Sequence, residues 1–324
     1  MPAKGPGEKV SCRKKIRVAV IGAGYLGAFH AQKYSMIEEA ELAGVADSDL
    51  NRAREAASRN KTAAFASYEG LAGGVDAVSI VTPTQSHCAI GLYFLSRGVD
   101  VLIEKPIASS VEEAELLIKE AERTGSVLQV GHLERFNAAI AAIDGRVKDP
   151  VYMECRRLSP FPGRSTDVDV VMDVMIHDID IILNLVKSEV KSVEAVGMPV
   201  VTDMADIMNA RIEFKSGCVA NITASRASRD KLRTLDIYQG GTQLSIDYMG
   251  QSLKALRPVA GKDGSYPSLV EEDLSMEKKD SLLEELKSFI RCSAAKSAPV
   301  VSGADGRRAL EVARMIQEAS RGVF

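Results

Sequence analysis

Ile16-Arg17-Val18-Ala19-Val20-Ile21-Gly22-Ala23-Gly24-Tyr25-Leu26-Gly27 is the stretch whose reading decides the fold. A run dominated by β-branched and apolar residues enters a turn of small ones. A helix-compatible segment, Tyr25 to about Met36, leaves it. The glycines stand at the spacing G-x-G-x-x-G. The first permits a tight turn, the second lets backbone approach a pyrophosphate, and the third lets helix and strand pack closely. Amides at the helix start point at an anion and the helix dipole favours one there. Asp47 closes the next apolar run, Glu41-Leu42-Ala43-Gly44-Val45-Ala46, twenty residues beyond Gly27. A carboxylate there accepts from an adenosine ribose and repels a 2′-phosphate, so NAD is expected over NADP.

The 324 residues are enough for about two domains. Hydrophobic residues at 46% support real cores, and a net charge of −3 offers no electrostatic footprint for nucleic acid or an anionic membrane. No apolar run reaches the length of a membrane span. Residues 1–15, rich in Lys, Gly and Pro, read as a disordered tail and not a signal peptide. The five cysteines, Cys12, Cys88, Cys155, Cys218 and Cys292, are scattered singly, with no metal spacing. Single thiols fit a reducing, cytoplasmic setting.

From Ile16 to about Gly131 strands and helices alternate, the pattern of a doubly wound parallel sheet. Strands are expected at 76–81, 101–103 and 127–130, with a capping box of Ser110 and Glu113 opening a helix. The second half differs. A strand near 150–157 and a helix over 167–187 precede strand-like runs at 190–201, 208–214, 218–224, 232–238 and 243–248. Lys215-Ser216-Gly217 and Gln239-Gly240-Gly241-Thr242 read as hairpin turns. Two helices close the chain, about 279–295 and 305–321. The expected division is a dinucleotide domain over 16–132 and an α+β domain with an open, mainly antiparallel sheet over 133–324.

Ligands of an open parallel sheet bind outside the carboxyl ends of its strands. Gly22 to Gly27, Asp47, Thr82-Pro83 with His87, Glu104-Lys105 and Gly131-His132 all fall at such ends. Pro106 biases Lys105 toward an extended conformation at the crevice edge. An ammonium there stabilises a developing alkoxide. His87 is a candidate for the nicotinamide pocket, and His132 for contact with substrate or cofactor.

Along the helix that follows, Asp169, Asp173, His177, Asp180 and Asn184 recur at spacings of four and three, a polar stripe on an otherwise apolar element. Buried carboxylates must be paired or face a wet cleft. Asp173, one turn before His177, reads as a carboxylate that orients the imidazole and moves its pKa toward neutrality or above. A metal at Asp173, His177 and Asp180 is the rival reading, disfavoured by the lack of further His or Cys. Arg164, in the proline-stiffened loop 158–164, joins Arg156 and Arg157 as candidates for an anionic substrate group such as a diphosphate.

These residues together resemble the Gfo/Idh/MocA oxidoreductases, named for glucose–fructose oxidoreductase and inositol dehydrogenase. The match rests on Gly22-Ala23-Gly24-Tyr25-Leu26-Gly27, Thr82-Pro83 with His87, Glu104-Lys105-Pro106, and Asp173 to His177 to Asp180. The resemblance implies a Rossmann domain holding NAD and a second domain whose open sheet makes a homodimer or homotetramer. It makes Lys105 the catalytic lysine, His177 the proton acceptor and Asp173 its partner. Gly22, Gly24, Tyr25, Leu26, Gly27, Asp47, Thr82, Pro83, His87, Glu104 and Lys105 become expected cofactor contacts, and His132, Arg156, Arg164, Asp173, His177 and Asp180 expected substrate contacts. Gly131 to Asn137, with His177 to Asp180, is similar to the branch that includes dehydrogenases of UDP-N-acetylglucosamine, which oxidise the sugar 3-hydroxyl. An inositol or free-polyol dehydrogenase, and a non-catalytic NAD-binding regulator, are the alternatives.

Overall fold

The computed structural model describes residues 15–143, 145–163, 168–261 and 266–320. β1 (Ile16–Ile21), α1 (Tyr25–Tyr34), β2 (Ala40–Ala46), α2 (Leu50–Asn60), β3 (Ala63–Phe65), β4 (Ala77–Ile80), α3 (His87–Leu95), β5 (Asp100–Glu104), α4 (Val111–Thr124) and β6 (Leu128–Gly131) build the first layer. Its six strands are parallel, in the order β3-β2-β1-β4-β5-β6, so the chain reverses direction between β1 and β4. That switch opens the crevice in front of Gly22. Central strands are buried on both faces, as the continuous apolar runs predict. Ser110 caps α4 by accepting from the Glu113 amide at 3.2 Å, while the Glu113 carboxylate reaches the Ser109 amide.

After α5 (Ala138–Ala142), the second sheet forms from β7 (Tyr152–Leu158), β8 (Val190–Met198), β9 (Ile207–Phe214), β10 (Val219–Ser225), β11 (Leu232–Gln239), β12 (Thr242–Asp247), β13 (Ser252–Val259) and β14 (Ser268–Asp273). The order is β14-β13-β12-β11-β7-β10-β9-β8. β9–β10 and β11–β12 are the hairpins that the turn residues mark. β7 inserts between them, parallel to β10 and antiparallel to β11, which makes the sheet mixed. β13 and β14 carry Lys254, Arg257, Glu271 and Glu272, paired across the edge, and so lacked the apolar pattern of a strand.

Between β7 and β8 runs α6 (Ile176–Leu185), preceded by one wider, five-residue-bonded turn, Val171–Met175. The chain then returns to the first layer. α7 (Ser281–Ala295) buries Leu286, Phe289 and Ile290 against Val18 and Val20 of β1. Lys296 pairs with the buried Asp100 at 2.6 Å, fixing the end of α7 to β5. α8 (Gly303–Ala319), capped reciprocally by Ser302 and Asp305, packs against both α4 and α6 and ties the two layers together.

Candidate functional site

The glycine turn has the shape a pyrophosphate needs. Gly22 has φ +96, and a Cβ there would meet the Val81 carbonyl oxygen at 2.5 Å. A Cβ on Gly27 would meet the Gly22 carbonyl oxygen at 1.8 Å, whereas one on Gly24 meets nothing. The space in front of Gly24 is therefore open, with Leu26 half-buried and Tyr25 exposed beside it. Among the described residues no side chain caps α1, and no acidic residue occupies its first turn. Asp47 accepts from the Ala23 amide at 2.7 Å and from the Asp49 amide at 2.8 Å, joining the turn to the β2 end. An uncapped helix start, an open glycine and an acid at the neighbouring strand end fit a dinucleotide.

Lys105 follows β5, with a cis bond to Pro106. Its ammonium reaches the second half of the chain, donating to the main-chain carbonyl of Asp173 at 2.6 Å. The Asp173 carboxylate lies 3.7 Å away. Burial pulls the Lys105 pKa below its usual value, and the charges of Asp173 and Glu104 oppose that fall. Beside it, His177 has its Nδ1 buried without a partner among the described residues. Burial, then the charges of Lys105 and Arg157, push the His177 pKa well below normal.

Two expectations for this pair change. Asp173 makes no hydrogen bond to His177 among the described residues. The wide turn over 171–175 alters the register between them, and the acid goes to Lys105 instead. The imidazole pKa accordingly moves down and not up, because it is buried and because cations, not a carboxylate, face it.

The rest of the polar stripe does not share one wet face. Asp169 caps the wide turn, accepting from the Val171 and Met172 amides. Asp180, expected at the substrate, is 1% exposed and grips Arg135 through both carboxylate oxygens at 2.6 and 2.8 Å. Asp178 holds Arg157 in the same bidentate way. These are buried ion pairs that anchor α6 to the 133–136 turn and to β7. Among the described residues no group of three or more His, Cys, Asp or Glu side chains is arranged to hold a metal.

His132 lies edge-on to His177, ring centroids 6.4 Å apart, with both its nitrogens buried and unpartnered among the described residues. Its burial lowers its pKa. His87, expected at a nicotinamide pocket, is instead buried against two main-chain carbonyls. It is 1% exposed, its Nδ1 3.0 Å from the Pro106 carbonyl and its Nε2 2.8 Å from the Thr82 carbonyl. It sits between the Thr82-Pro83 and Lys105-Pro106 turns, and as a neutral ring it donates to one of the two carbonyls at a time. Glu104 likewise points inward, where His30 Nε2 lies 3.1 Å from its carboxylate. Arg156 is exposed on the sheet face opposite Arg157, away from α6, because successive strand residues alternate. Arg164 lies outside the described residues. Glu134 and Arg135 fall in the Gly131 to Asn137 stretch, but their partners, and Arg233 itself, are revealed only by the pairing of distant elements.

Residues 16–132 match the family model described as "Oxidoreductase family, NAD-binding Rossmann fold". Residues 139–245 match that of the GFO/IDH/MocA C-terminal domain. The chain belongs to the Gfo/Idh/MocA oxidoreductase family. It is 40% identical to UDP-N-acetylglucosamine 3-dehydrogenase of Acidithiobacillus ferrooxidans, covering 94% of this chain and 97% of that one. The solved structure of that enzyme superposes with a TM-score of 0.89. The scyllo-inositol 2-dehydrogenase (NAD(+)) of Bacillus subtilis is 30% identical, with 92% of each chain covered. Levoglucosan dehydrogenase, solved with NADH and levoglucosan, shares the fold at 18% identity, with a TM-score of 0.82 and 95% and 97% of the chains covered. As a Gfo/Idh/MocA member the protein is an NAD-binding dehydrogenase, and its open glycine turn agrees with that. No helix among the described residues is long and apolar enough to cross a membrane.

Proposed function

We propose that the protein oxidises a secondary hydroxyl of a nucleotide sugar, with the 3-hydroxyl of UDP-N-acetylglucosamine as the favoured substrate. The observation that carries the reading is the meeting of Lys105, at the carboxyl end of β5, with Asp173 from the 171–175 turn, close enough to His177 for its charge to be felt there. Bound NAD supplies the hydride acceptor. A neutral His177 takes the hydroxyl proton, and it is kept neutral by burial and by the cations around it. The Lys105 ammonium, held by the Asp173 carbonyl, stabilises the alkoxide. Asp173 positions Lys105 and balances its charge. His132 packs against His177 and shapes the substrate side of the pocket. The identity of 40% over 94% of the chain favours the nucleotide-sugar substrate.

The inositol dehydrogenase relative makes a free polyol the second reading. NADH formation over a panel of nucleotide sugars, free sugars and inositols separates the two. Turnover of UDP-N-acetylglucosamine well above the polyols is expected, and the reverse order replaces the reading. Absence of NADH with every substrate leaves a cofactor-binding regulator.

We further infer work in a reducing compartment, since the described cysteines, Cys88, Cys155, Cys218 and Cys292, are all unpaired and buried. Self-association through the outer face of the second sheet is proposed from family membership, and light scattering of the purified protein tests it.

A further inference from the structure

β7 and β11 are antiparallel neighbours, and their register sets Arg233 directly opposite Arg157. Cross-strand partners share a face, so both arginines project toward α6 and the site. Like charges directly opposite are unfavourable unless something compensates them. Arg157 is compensated: Asp178 takes two of its donors at 2.9 and 2.8 Å, and Glu134 takes another at 2.8 Å. Arg233 is not. Its one ion-pair partner among the described residues is the Glu134 oxygen that Arg157 already holds, and it lies 3.7 Å away. That is beyond hydrogen-bond reach. The Arg233 side chain remains 40% exposed.

Two further effects point to a missing anion. Burial and the neighbouring Arg157 charge lower the Arg233 pKa, and the charges of Glu134 and Asp178 offset this only in part. Its charge is also felt at His177, so it stands within reach of the same site. Arg156, the neighbour the sequence suggested, faces the opposite side.

We propose that Arg233 is the substrate-side cation that receives the diphosphate of a nucleotide sugar, an inference that rests on the nucleotide-sugar reading above. A guanidinium presents a planar fork of donors that matches phosphate oxygens bidentately. With Glu134 and Asp178 already engaged by Arg157, those donors are available to the ligand. Neutralising Arg233 from outside also relieves its repulsion with Arg157. The pocket is then more settled when the diphosphate is present.

Uridine diphosphate is the probe, titrated into wild type, Arg233→Ala and Arg233→Lys in the presence of NADH. Arg233→Ala is expected to weaken binding ~10- to 100-fold. Arg233→Lys is expected to fall between, since it keeps the charge and loses the fork. NADH affinity should stay at the wild-type value in both, which separates loss of the subsite from loss of the fold. Equal affinity for uridine diphosphate in wild type and Arg233→Ala, or no binding to wild type, overturns the assignment. NADH formation from UDP-N-acetylglucosamine by wild type is measured alongside. If it occurs with an unchanged KM in Arg233→Ala, the reaction stands and the subsite falls. If it is absent while uridine diphosphate binds through Arg233, the subsite stands and the reaction falls.

Discussion

The ammonium of Lys105 donates at 2.6 Å to the main-chain carbonyl of Asp173, sixty-eight residues later in the chain. A side chain from the end of a Rossmann strand is thereby oriented by the backbone of the 171–175 turn. A main-chain acceptor survives substitution of the Asp173 side chain, so the two interactions can be tested apart. Asp173→Asn is expected to keep the Lys105 contact and lower turnover less than Lys105→Ala does. Lys105→Ala is expected to lower kcat ~10²- to 10³-fold, the scale of losing one charge-stabilising donor. NADH binding, measured by fluorescence titration, should be retained in both. Wild-type turnover in Lys105→Ala would remove the role.

The pH profile of kcat/KM reports the base and the cation of the free enzyme. His177 acts while neutral, and its pKa is lowered from 6.5, so the acid limb should break below 6.5. Lys105 acts while protonated, and its pKa is lowered from 10.5, so the alkaline limb should break below 10.5. His177→Asn should remove the acid limb along with most of the rate. An acid limb above 6.5 would contradict the cationic surroundings of the imidazole.

Stability should also fall in mild acid. Burial holds His87, His132 and His177 below 6.5 in the folded protein. The unfolded chain titrates its histidines near 6.5. Between that value and the lower folded values the unfolded chain binds more protons, so stability rises with pH across this window and is lost as pH falls through it. Differential scanning calorimetry should give a lower Tm at about pH 5.5 than at about pH 7.5. A constant Tm over that interval counts against buried neutral imidazoles.

Asp180 tests the difference between a substrate contact and a structural one. Its ion pair with Arg135 leaves side chains only 2% and 6% exposed. Removing one partner of such a pair strands a buried charge, costing ~3–5 kcal/mol. Arg135→Ala should therefore unfold at markedly lower denaturant, with urea melts as the measurement. A variant with wild-type stability and a raised KM would return Asp180 to the substrate.

The glycine turn gives a separable pair of variants. Gly24→Ala places its Cβ in open space, so the melting temperature should hold while NADH affinity drops. Gly27→Ala drives a Cβ into the Gly22 carbonyl, so both should drop together. Unchanged NADH affinity in Gly24→Ala would mean that the pyrophosphate lies elsewhere.

The sequence by itself determined the Rossmann half. Gly22, Gly24, Gly27 and Asp47 act through local backbone geometry, and an apolar run buried on both faces needs no partner to identify it. The positions of Lys105, at a strand end, and of His177, a polar residue on an apolar helix, were legible too. Tertiary structure alone decided what those residues face. A stripe at α-helical spacing put Asp173 beside His177, but one wider turn and the reach of Lys105 reassigned the acid. Asp178 and Asp180 went to Arg157 and Arg135, and His87 to two carbonyls, because burial demands the partner that the fold brings near. The register that sets Arg233 against Arg157 joins residues seventy-six positions apart in the chain. Period and composition describe one element at a time, whereas charge compensation is a property of elements in contact.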